Sequence, residues 1–272
     1  MQCLDLYMTK AHDGGKDLFG HVGQAEMYKV YRPVYTQDIV DYVLSKVPEN
    51  QRGLYVDVAC GSGQLTRLIS PFFSKSVGID RSLEQLSQAS DSKTEYMTGS
   101  AFKLPFADKS VDLLTVAQAL HWLLPYETFF EEVQRVLKKG GVFVTIAYSF
   151  PQLVDQSANA ITTRFYVDLL GARKSPGEPG CWWETNRPTI DGHYMDIDYP
   201  CSVDRAELPS IVCMSISHFV NYMRTFSAYR TYMESHTDDP LVAVENELKE
   251  VFGAVKEIQV INPFFAVSFS CT

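Results

Sequence analysis

The chain has 272 residues, 46% of them apolar and 12% aromatic, which is enough to form the core of one large domain or two small ones. Its formal net charge of −9, with no basic stripe, argues against a nucleic-acid partner, because such partners need Lys and Arg to neutralise phosphates. No long apolar run or secretion signal is evident, so we expect no membrane association. The six cysteines include no C-x-x-C pair, which predicts reduced thiols, no metal site and a cytoplasmic location.

Residues 53–148 alternate between short apolar, β-branched runs and longer segments of helical period. This pattern is typical of βαβ units and predicts an open α/β fold with a mostly parallel sheet. The predicted helices include "QLTRLISPFF", which follows the first glycine turn, and "PYETFFEEVQRVLKKGG". The predicted strands are "LYVDVA" (54–59), "SVGID" (76–80), "EYMTGS" (95–100), "VDLLTVA" (111–117) and "GVFVTIAY" (141–148).

The alternation stops after Ser149, and about a hundred residues precede two last strand-like runs. A loop of that length needs structure of its own, so we predict an inserted substrate-binding cap over residues 151–254. The remaining parts are residues 1–150, with N-terminal cover helices and the cofactor-binding part, and residues 255–272, with two strands that complete the sheet. Within the cap the patterns predict helices around 152–170, 210–234 and 239–252 and a strand in "HYMDIDY" (193–199).

The stretch "YVDVACGSGQL" (55–65) places glycines between the first strand and its helix, where backbone N–H groups and a helix dipole meet ligands. A phosphate-binding P-loop needs a Gly-Lys-Ser/Thr ending that is absent here. A dinucleotide fingerprint needs a third glycine where Thr66 stands. Asp57 at the strand end suits a cationic ligand, and Asp80 closes the second strand, within reach of ribose hydroxyls. The two acids therefore favour a positively charged nucleoside.

The segments "VDVACGSGQ", "VGIDRS" and "TGSAFKLPFADKSVDLLTVAQALHW" resemble the cofactor motifs of class I S-adenosylmethionine-dependent methyltransferases, of the methyltransferase type 11 domain. More narrowly, "YRPVY", "AQALHW", "RVLKKGG" and "YMRTFSAYRTYME" resemble the trans-aconitate methyltransferase-like group. The resemblance extends from about residue 18 onward. It implies a Rossmann-like fold with a seven-stranded, mostly parallel sheet, helices on both faces and a mainly helical insertion after strand 5. The implied cofactor is S-adenosyl-L-methionine, with S-adenosyl-L-homocysteine as product.

The resemblance also implies which positions hold the cofactor. Asp57, Gly61 and Gly63 would shape the methionine and ribose site, and Asp80 would hold the ribose hydroxyls. Ser100 and Ala101 stand where the wider superfamily often has an acid for the adenine amino group, and Phe102 stands where the narrower group often has glutamate. The full set of expected cofactor residues is Tyr28, Arg32, Asp57, Ala59, Gly61, Gly63, Asp80, Arg81, Ser100, Ala101, Phe102, Gln118 and Ala119.

The acceptor side of the site is expected at the end of the fourth strand and in the insertion. His121 is the candidate catalytic residue, either as a base or as a pocket wall, and Trp122 lies beside it. Cys60 is more often packing than a nucleophile in such a turn. Aromatic residues and arginines of the insertion would contact a small-molecule substrate. The expected substrate residues are His121, Trp122, Trp182, Trp183, Arg187 and Tyr194.

The sequence therefore predicts an S-adenosylmethionine-dependent methyltransferase that methylates an oxygen of a small molecule, with a carboxylate favoured over a hydroxyl. A carboxylate is already ionised at neutral pH and needs no base. N- or S-methylation remains an alternative, as does a binding module that holds the cofactor without turnover. Whether the protein is a monomer or a homodimer stays open.

Overall fold

The computed structural model describes residues 30–271. The strands, numbered in chain order, are β1 (Leu54–Val58), β2 (Lys75–Asp80), β3 (Thr94–Thr98), β4 (Val111–Ala117), β5 (Leu137–Tyr148), β6 (Gln152–Leu153), β7 (Asp204–Glu207), β8 (Ser210–Met214), β9 (Ile258–Asn262) and β10 (Phe264–Ser270).

The α-helices are α1 (Gln37–Ser45), α2 (Thr66–Ile69), α3 (Leu83–Ser87), α4 (Tyr126–Val136), α5 (Gln156–Arg164), α6 (Arg187–Asp191), α7 (Ile216–Arg224), α8 (Ser227–Met233) and α9 (Pro240–Phe252). Short 3₁₀ turns span Glu49–Gln51, Ser70–Phe72 and Leu120–Trp122, and a π-helical turn spans Phe165–Leu169.

The main sheet has seven strands in the order β3-β2-β1-β4-β5-β10-β7. The first five strands run parallel, and β10 lies antiparallel to both β5 and β7. The central strands β1 and β4 are buried almost throughout, which explains why most of their residues are apolar. The predicted Rossmann-like, mostly parallel seven-stranded fold is confirmed.

The strand order reverses between β1 and β4, which are neighbours in the sheet although two strands separate them in sequence. Because parallel strands end at the same edge, the loops after β1, β2, β3 and β4 leave the sheet together. In open α/β sheets ligands bind at such a reversal, outside the carboxyl ends of the strands. This edge is therefore the place to look for a site.

The chain divides into two compact units. The sheet unit contains Val34–Tyr148, Thr189–Leu208 and residues 264–271, and it holds the seven-stranded sheet. The second unit contains residues 30–33, Ser149–Pro188 and Pro209–Pro263. It consists of a three-stranded antiparallel sheet, ordered β6-β9-β8, and of helices that include α5, α7, α8 and α9.

Two predictions about the sheets are wrong. The run at 255–261 does not complete the main sheet, because β9 pairs with β6 and β8 in the second unit. The seventh strand of the main sheet is instead β7, from within the predicted insertion, and residues 189–208 belong to the sheet unit. The sequence of β7, Asp-Arg-Ala-Glu, has no apolar alternation because an edge strand with one neighbour tolerates charge on its open side.

The predicted strand at 193–199 is also wrong, because residues 193–196 form turns and residues 197–199 have no regular secondary structure. His193 and Tyr194 both adopt left-handed conformations, with φ of 52° and 57°. Tyr194 and Ile197 are buried while Met195 is exposed. A turn that buries every third residue thus produced an alternation that looked like a strand.

The helix predicted over 210–234 is only partly correct. Its first residues form strand β8, and Ser215 then caps α7 by accepting a hydrogen bond from the His218 N–H. In contrast, the predicted last helix is confirmed as α9, where the Asp239 side chain accepts from the Leu241 N–H at 2.9 Å. Helix α4 ends at Val136, so Lys138, Lys139 and Gly140 begin β5 instead of closing the helix.

Candidate active site

Asp57 lies at the end of β1 and is 1% exposed. One carboxylate oxygen accepts a hydrogen bond from Thr66 Oγ1 at 2.5 Å, and the other accepts one from Thr115 Oγ1 at 2.7 Å. Burial raises the pKa of Asp57 to about 6, and the nearby charge of Asp80 acts in the same direction. Asp57 therefore ties β1 to α2 and β4, and its ionised form is one that a nearby positive charge would favour.

The loop from residue 59 to 65 needs left-handed backbone at three positions. Ala59, Gly61 and Gly63 have φ of 55°, 56° and 74°. The Gly61 N–H donates to Asp80 Oδ2 at 2.8 Å, which fixes the loop to the end of β2. A Cβ at Gly61 would approach only Gln85 Oε1, at 3.7 Å, so conformation and not space explains this glycine.

Gly63 is required for a different reason, because the side chain of Tyr96 in β3 leaves no room for a Cβ there. A Cβ at Gly63 would lie 2.3 Å from Tyr96 Oη, and a Cβ at Gly78 would lie 2.6 Å from Tyr96 Cδ1. The Tyr96 hydroxyl is buried, and burial raises its pKa to about 12. Sequence reasoning missed Tyr96. The one sequence feature that could have indicated Tyr96 is Gly78, because a glycine inside a strand often marks the close approach of another group.

Both carboxylate oxygens of Asp80, at the end of β2, accept backbone hydrogen bonds. Oδ2 accepts from the Gly61 N–H, and Oδ1 accepts from the Ser82 N–H at 2.8 Å. Each carboxylate oxygen has two acceptor positions, so Asp80 keeps capacity for further donors such as hydroxyls. The neighbouring Arg81 is exposed.

The loop after β3 contains the three residues predicted near adenine. Ser100 Oγ accepts a hydrogen bond from the Phe102 N–H at 3.2 Å. The Phe102 ring meets Phe129 edge-on, with centroids 6.4 Å apart, and Ala101 packs against the same core. In this structure Phe102 therefore packs against the core.

Gln118, just after β4, is left-handed with φ of 52°. Its side-chain amide spans the backbone of Tyr148: Nε2 donates to the Tyr148 carbonyl at 3.1 Å and Oε1 accepts from its N–H at 2.9 Å. The amide therefore joins the ends of β4 and β5, and Ala119 follows it in a partly buried position.

His121 and Tyr194 meet in the sheet unit. His121 is 4% exposed, and its Nδ1 lies 3.0 Å from the buried Tyr194 hydroxyl. The Trp122 ring lies 5.1 Å from the imidazole centroid. Arg205 donates to the carbonyls of His193 and Tyr194 and so holds this left-handed pair in place. The structure thus brings together three predicted residues, His121, Trp122 and Tyr194.

The other predicted residues belong to the second unit or fall outside the described chain. Arg32 donates to the Thr225 carbonyl at 3.1 Å.

Trp182 meets Tyr232 and His236 edge-on, whereas Trp183 is buried near Phe150 and Phe226. The Arg187 guanidinium carbon lies 3.9 Å from the Phe150 ring centroid. Tyr28 lies outside the described residues.

Cys60 follows β1 directly, and burial raises the pKa of its thiol above the usual range. A thiol that resists ionisation is a poor nucleophile. This agrees with its interpretation as a packing residue.

Comparison with known proteins identifies the family. A sequence model described as a methyltransferase domain matches residues 56–145. A Saccharomyces cerevisiae protein named as an S-adenosylmethionine-dependent methyltransferase is 31% identical over 253 residues, which cover 82% of this chain and 86% of that one. The chain belongs to the S-adenosylmethionine-dependent methyltransferases.

Two further relatives of this methyltransferase support the assignment. A Dictyostelium discoideum protein described as a methyltransferase is 28% identical over 259 residues, covering 92% of this chain and 94% of that one. The solved structure of a protein described as a type II methyltransferase from Anaeromyxobacter dehalogenans has a TM-score of 0.77 and 26% identity, covering 88% and 98%. The predicted family, enzyme class and cofactor are confirmed, whereas the trans-aconitate methyltransferase-like group stays a prediction.

The residues at the carboxyl edge of the sheet suit S-adenosylmethionine chemically. A buried carboxylate such as Asp57 is disfavoured as an anion unless a positive charge such as a sulfonium lies near. Asp80 can still accept hydroxyl hydrogens. Across residues 30–271, every helix of the methyltransferase is too short or too polar to span a bilayer.

The raised pKa of Asp57 predicts a pH-dependent stability. The folded pKa of about 6 exceeds the ordinary value, so the contribution of Asp57 is fully present below that ordinary value and is lost as pH rises through about 6. We expect the free energy of unfolding, relative to Asp57→Asn, to fall by up to about 3 kcal/mol between pH 4 and 7. Urea unfolding of both proteins at several pH values measures this, and parallel pH curves would contradict it.

Proposed function

We propose that this methyltransferase transfers the methyl group to an oxygen atom of a small molecule, with a carboxylate favoured over a hydroxyl. When bound, S-adenosylmethionine supplies an activated methyl group, so the protein needs mainly to align the acceptor and exclude water. A carboxylate acceptor is already ionised at neutral pH and requires no base. We propose that the acceptor is a small organic acid, as the resemblance to the trans-aconitate methyltransferase-like group implies.

The observation that carries the acid preference is Arg187. Its guanidinium carbon lies 3.9 Å from the ring centroid of Phe150 and 4.8 Å from that of Trp183. A planar guanidinium held against aromatic rings matches the geometry of a carboxylate. In a chain of net charge −9, such a group supplies the local positive charge that an acid needs.

The cofactor is proposed to bind through the residues at the carboxyl edge. Asp57 holds the loop, the Gly61–Asp80 hydrogen bond presents the Asp80 carboxylate to ribose hydroxyls, and the backbone around Gln118 borders the methionine part. The complete proposed set is Tyr28, Arg32, Asp57, Ala59, Gly61, Gly63, Asp80, Arg81, Ser100, Ala101, Phe102, Gln118 and Ala119.

The test is release of S-adenosylhomocysteine from the purified protein with S-adenosylmethionine and matched acceptors: small carboxylic acids, phenols, amines and thiols. Release with acids supports the proposal. Release only with amines or thiols would replace it by N- or S-methylation, and cofactor binding without release on any class would favour a non-catalytic binding module.

His121 is proposed to shape the acceptor pocket while Tyr194 orients its ring. For an acid acceptor we expect His121→Ala to raise KM up to about tenfold with little change in kcat, because no proton has to be removed. Tyr194→Phe keeps the ring and removes the hydroxyl, so it should raise KM by a smaller factor than His121→Ala. Cofactor affinity should not change in either variant.

Steady-state kinetics of both variants with the best acid acceptor measure these effects. A fall in kcat of about 100-fold or more in His121→Ala would contradict the pocket role and indicate a general base.

A further inference from the structure

The second unit buries two hydrogen-bond donors that have no acceptor. The indole Nε1 of Trp183 and the hydroxyl of Tyr166 lack hydrogen-bond partners within residues 30–271. The two residues are 6% and 4% exposed. A buried donor left without a partner is costly in free energy, so such groups are usually completed by water, an ion or a ligand.

The two donors lie around the same aromatic pair. Phe150 stacks on Tyr166 with centroids 4.7 Å apart and meets Trp183 at 5.0 Å. Phe226 lies 5.8 Å from Tyr166 and 5.9 Å from Trp183. Tyr166 is also part of the π-helical turn Phe165–Leu169, a rare conformation that is frequent at functional sites.

Arg187 adds positive charge to this cluster. Its guanidinium lies over the Phe150 and Trp183 rings. Its charge also acts on Tyr166: burial raises the pKa of that phenol, and Arg187 opposes the rise. A charge that acts on Tyr166 and contacts Trp183 is well placed to complement a ligand that both donors hold.

The donor types define the ligand. An indole N–H only donates, so the ligand must present an acceptor atom. The guanidinium favours an anion with two oxygens in one plane. The Phe150 and Phe226 rings favour an apolar, flat body behind that anion.

We propose that Trp183 Nε1, Tyr166 Oη and the Arg187 guanidinium bind the carboxylate of one organic acid whose flat apolar body packs against Phe150 and Phe226. This binding site rests on the proposed function, because the acid is the methyl acceptor. It makes flat, unsaturated or aromatic carboxylic acids the substrate class.

The experiment compares cinnamate, phenylacetate and sorbate with the corresponding primary amides by calorimetric titration of the whole protein. At least one acid should bind about tenfold or more tightly than its amide, the range expected for hydrogen bonds to a charged group. Tyr166→Phe and Trp183→Phe should each weaken acid binding about fivefold or more and weaken amide binding by a smaller factor, because a hydrogen bond to a charged acceptor is stronger than one to a neutral acceptor.

Tyr229→Phe is the matched control. Tyr229 is also a buried tyrosine of this unit, but its hydroxyl already hydrogen-bonds with Asp239. The control should lower the melting temperature and leave acid affinity unchanged. Tyr166→Phe should leave the melting temperature unchanged or raise it, because it removes an unpaired buried hydroxyl.

Three outcomes would overturn the inference: no acid of the panel binds, acids and amides bind equally in all three pairs, or Tyr166→Phe and Trp183→Phe leave acid affinity unchanged. A Tyr166→Phe melting temperature as low as that of Tyr229→Phe would also do so, because the hydroxyl would then have a partner in the free protein. S-adenosylhomocysteine release is measured on the same samples. Acid binding without release would remove the acceptor proposal and keep the binding site. Release from carboxylic acids outside the panel, without binding of the panel acids, would remove the binding site and keep the acceptor proposal.

Discussion

Replacing Gly63 with alanine is expected to destabilise the protein by about 2–5 kcal/mol and to remove measurable cofactor binding. Two effects add. A non-glycine residue at φ of 74° costs about 1–2 kcal/mol, and the new Cβ would overlap Tyr96 Oη, 2.3 Å away, at a further cost of about 1–3 kcal/mol. Relief of either strain would displace the loop that carries Gly61. Urea unfolding and calorimetric titration with S-adenosylmethionine measure both consequences.

Gly140→Ala separates the two effects. Gly140 has nearly the same φ, 77°, but a Cβ there would have nothing within 4 Å. It should lose only about 1–2 kcal/mol and retain normal cofactor affinity. Adding Tyr96→Leu to Gly63→Ala should restore part of the stability. Equal losses in Gly63→Ala and Gly140→Ala would contradict the contact with Tyr96.

Asp80→Ala is expected to weaken S-adenosylmethionine binding by about 1.5–3 kcal/mol, which corresponds to about 10- to 150-fold in Kd. The change removes the acceptor for the Gly61 and Ser82 N–H groups and, in our proposal, the acceptor for the ribose hydroxyls. Asp80→Asn keeps one acceptor oxygen and should lose less. Calorimetric titration gives both affinities.

Asp91→Ala is the control for this prediction. Asp91 also accepts several hydrogen bonds in the sheet unit, from Ser70 Oγ, Thr94 Oγ1 and the Lys93 N–H. It precedes β3, at the opposite end of that strand from the proposed cofactor loop. Its loss should lower stability and leave cofactor affinity unchanged. Similar affinity losses in Asp80→Ala and Asp91→Ala would show that general destabilisation explains the effect.

The sequence was sufficient to predict the central sheet because its strands are buried on both sides. β1 and β4 are mostly apolar runs, and each is followed by small or polar residues at a strand end. The identity of the edge where ligands bind follows from this topology alone. Asp57, Gly61 and Asp80 could therefore be assigned to one edge before their hydrogen bonds were known.

The missed features depend on contacts between residues distant in sequence. Tyr96 explains Gly63 from 33 positions away, and no local pattern reveals that contact. Tyr194 contacts His121 in the sheet unit, although its local sequence pattern predicts a strand of the insertion. β7 is polar because it lies at a sheet edge, which only the assembled sheet shows. Local propensity cannot report these tertiary relations.

The central claim is that the carboxyl edge of this sheet holds S-adenosylmethionine for transfer to an acid. One calorimetric titration with S-adenosylmethionine, followed on the same sample by the release assay with the carboxylic acids, tests it most directly. The account predicts micromolar binding that Asp80→Ala weakens and Asp91→Ala does not, with S-adenosylhomocysteine released when an acid is present. Absence of binding, or binding insensitive to Asp80→Ala, would contradict it.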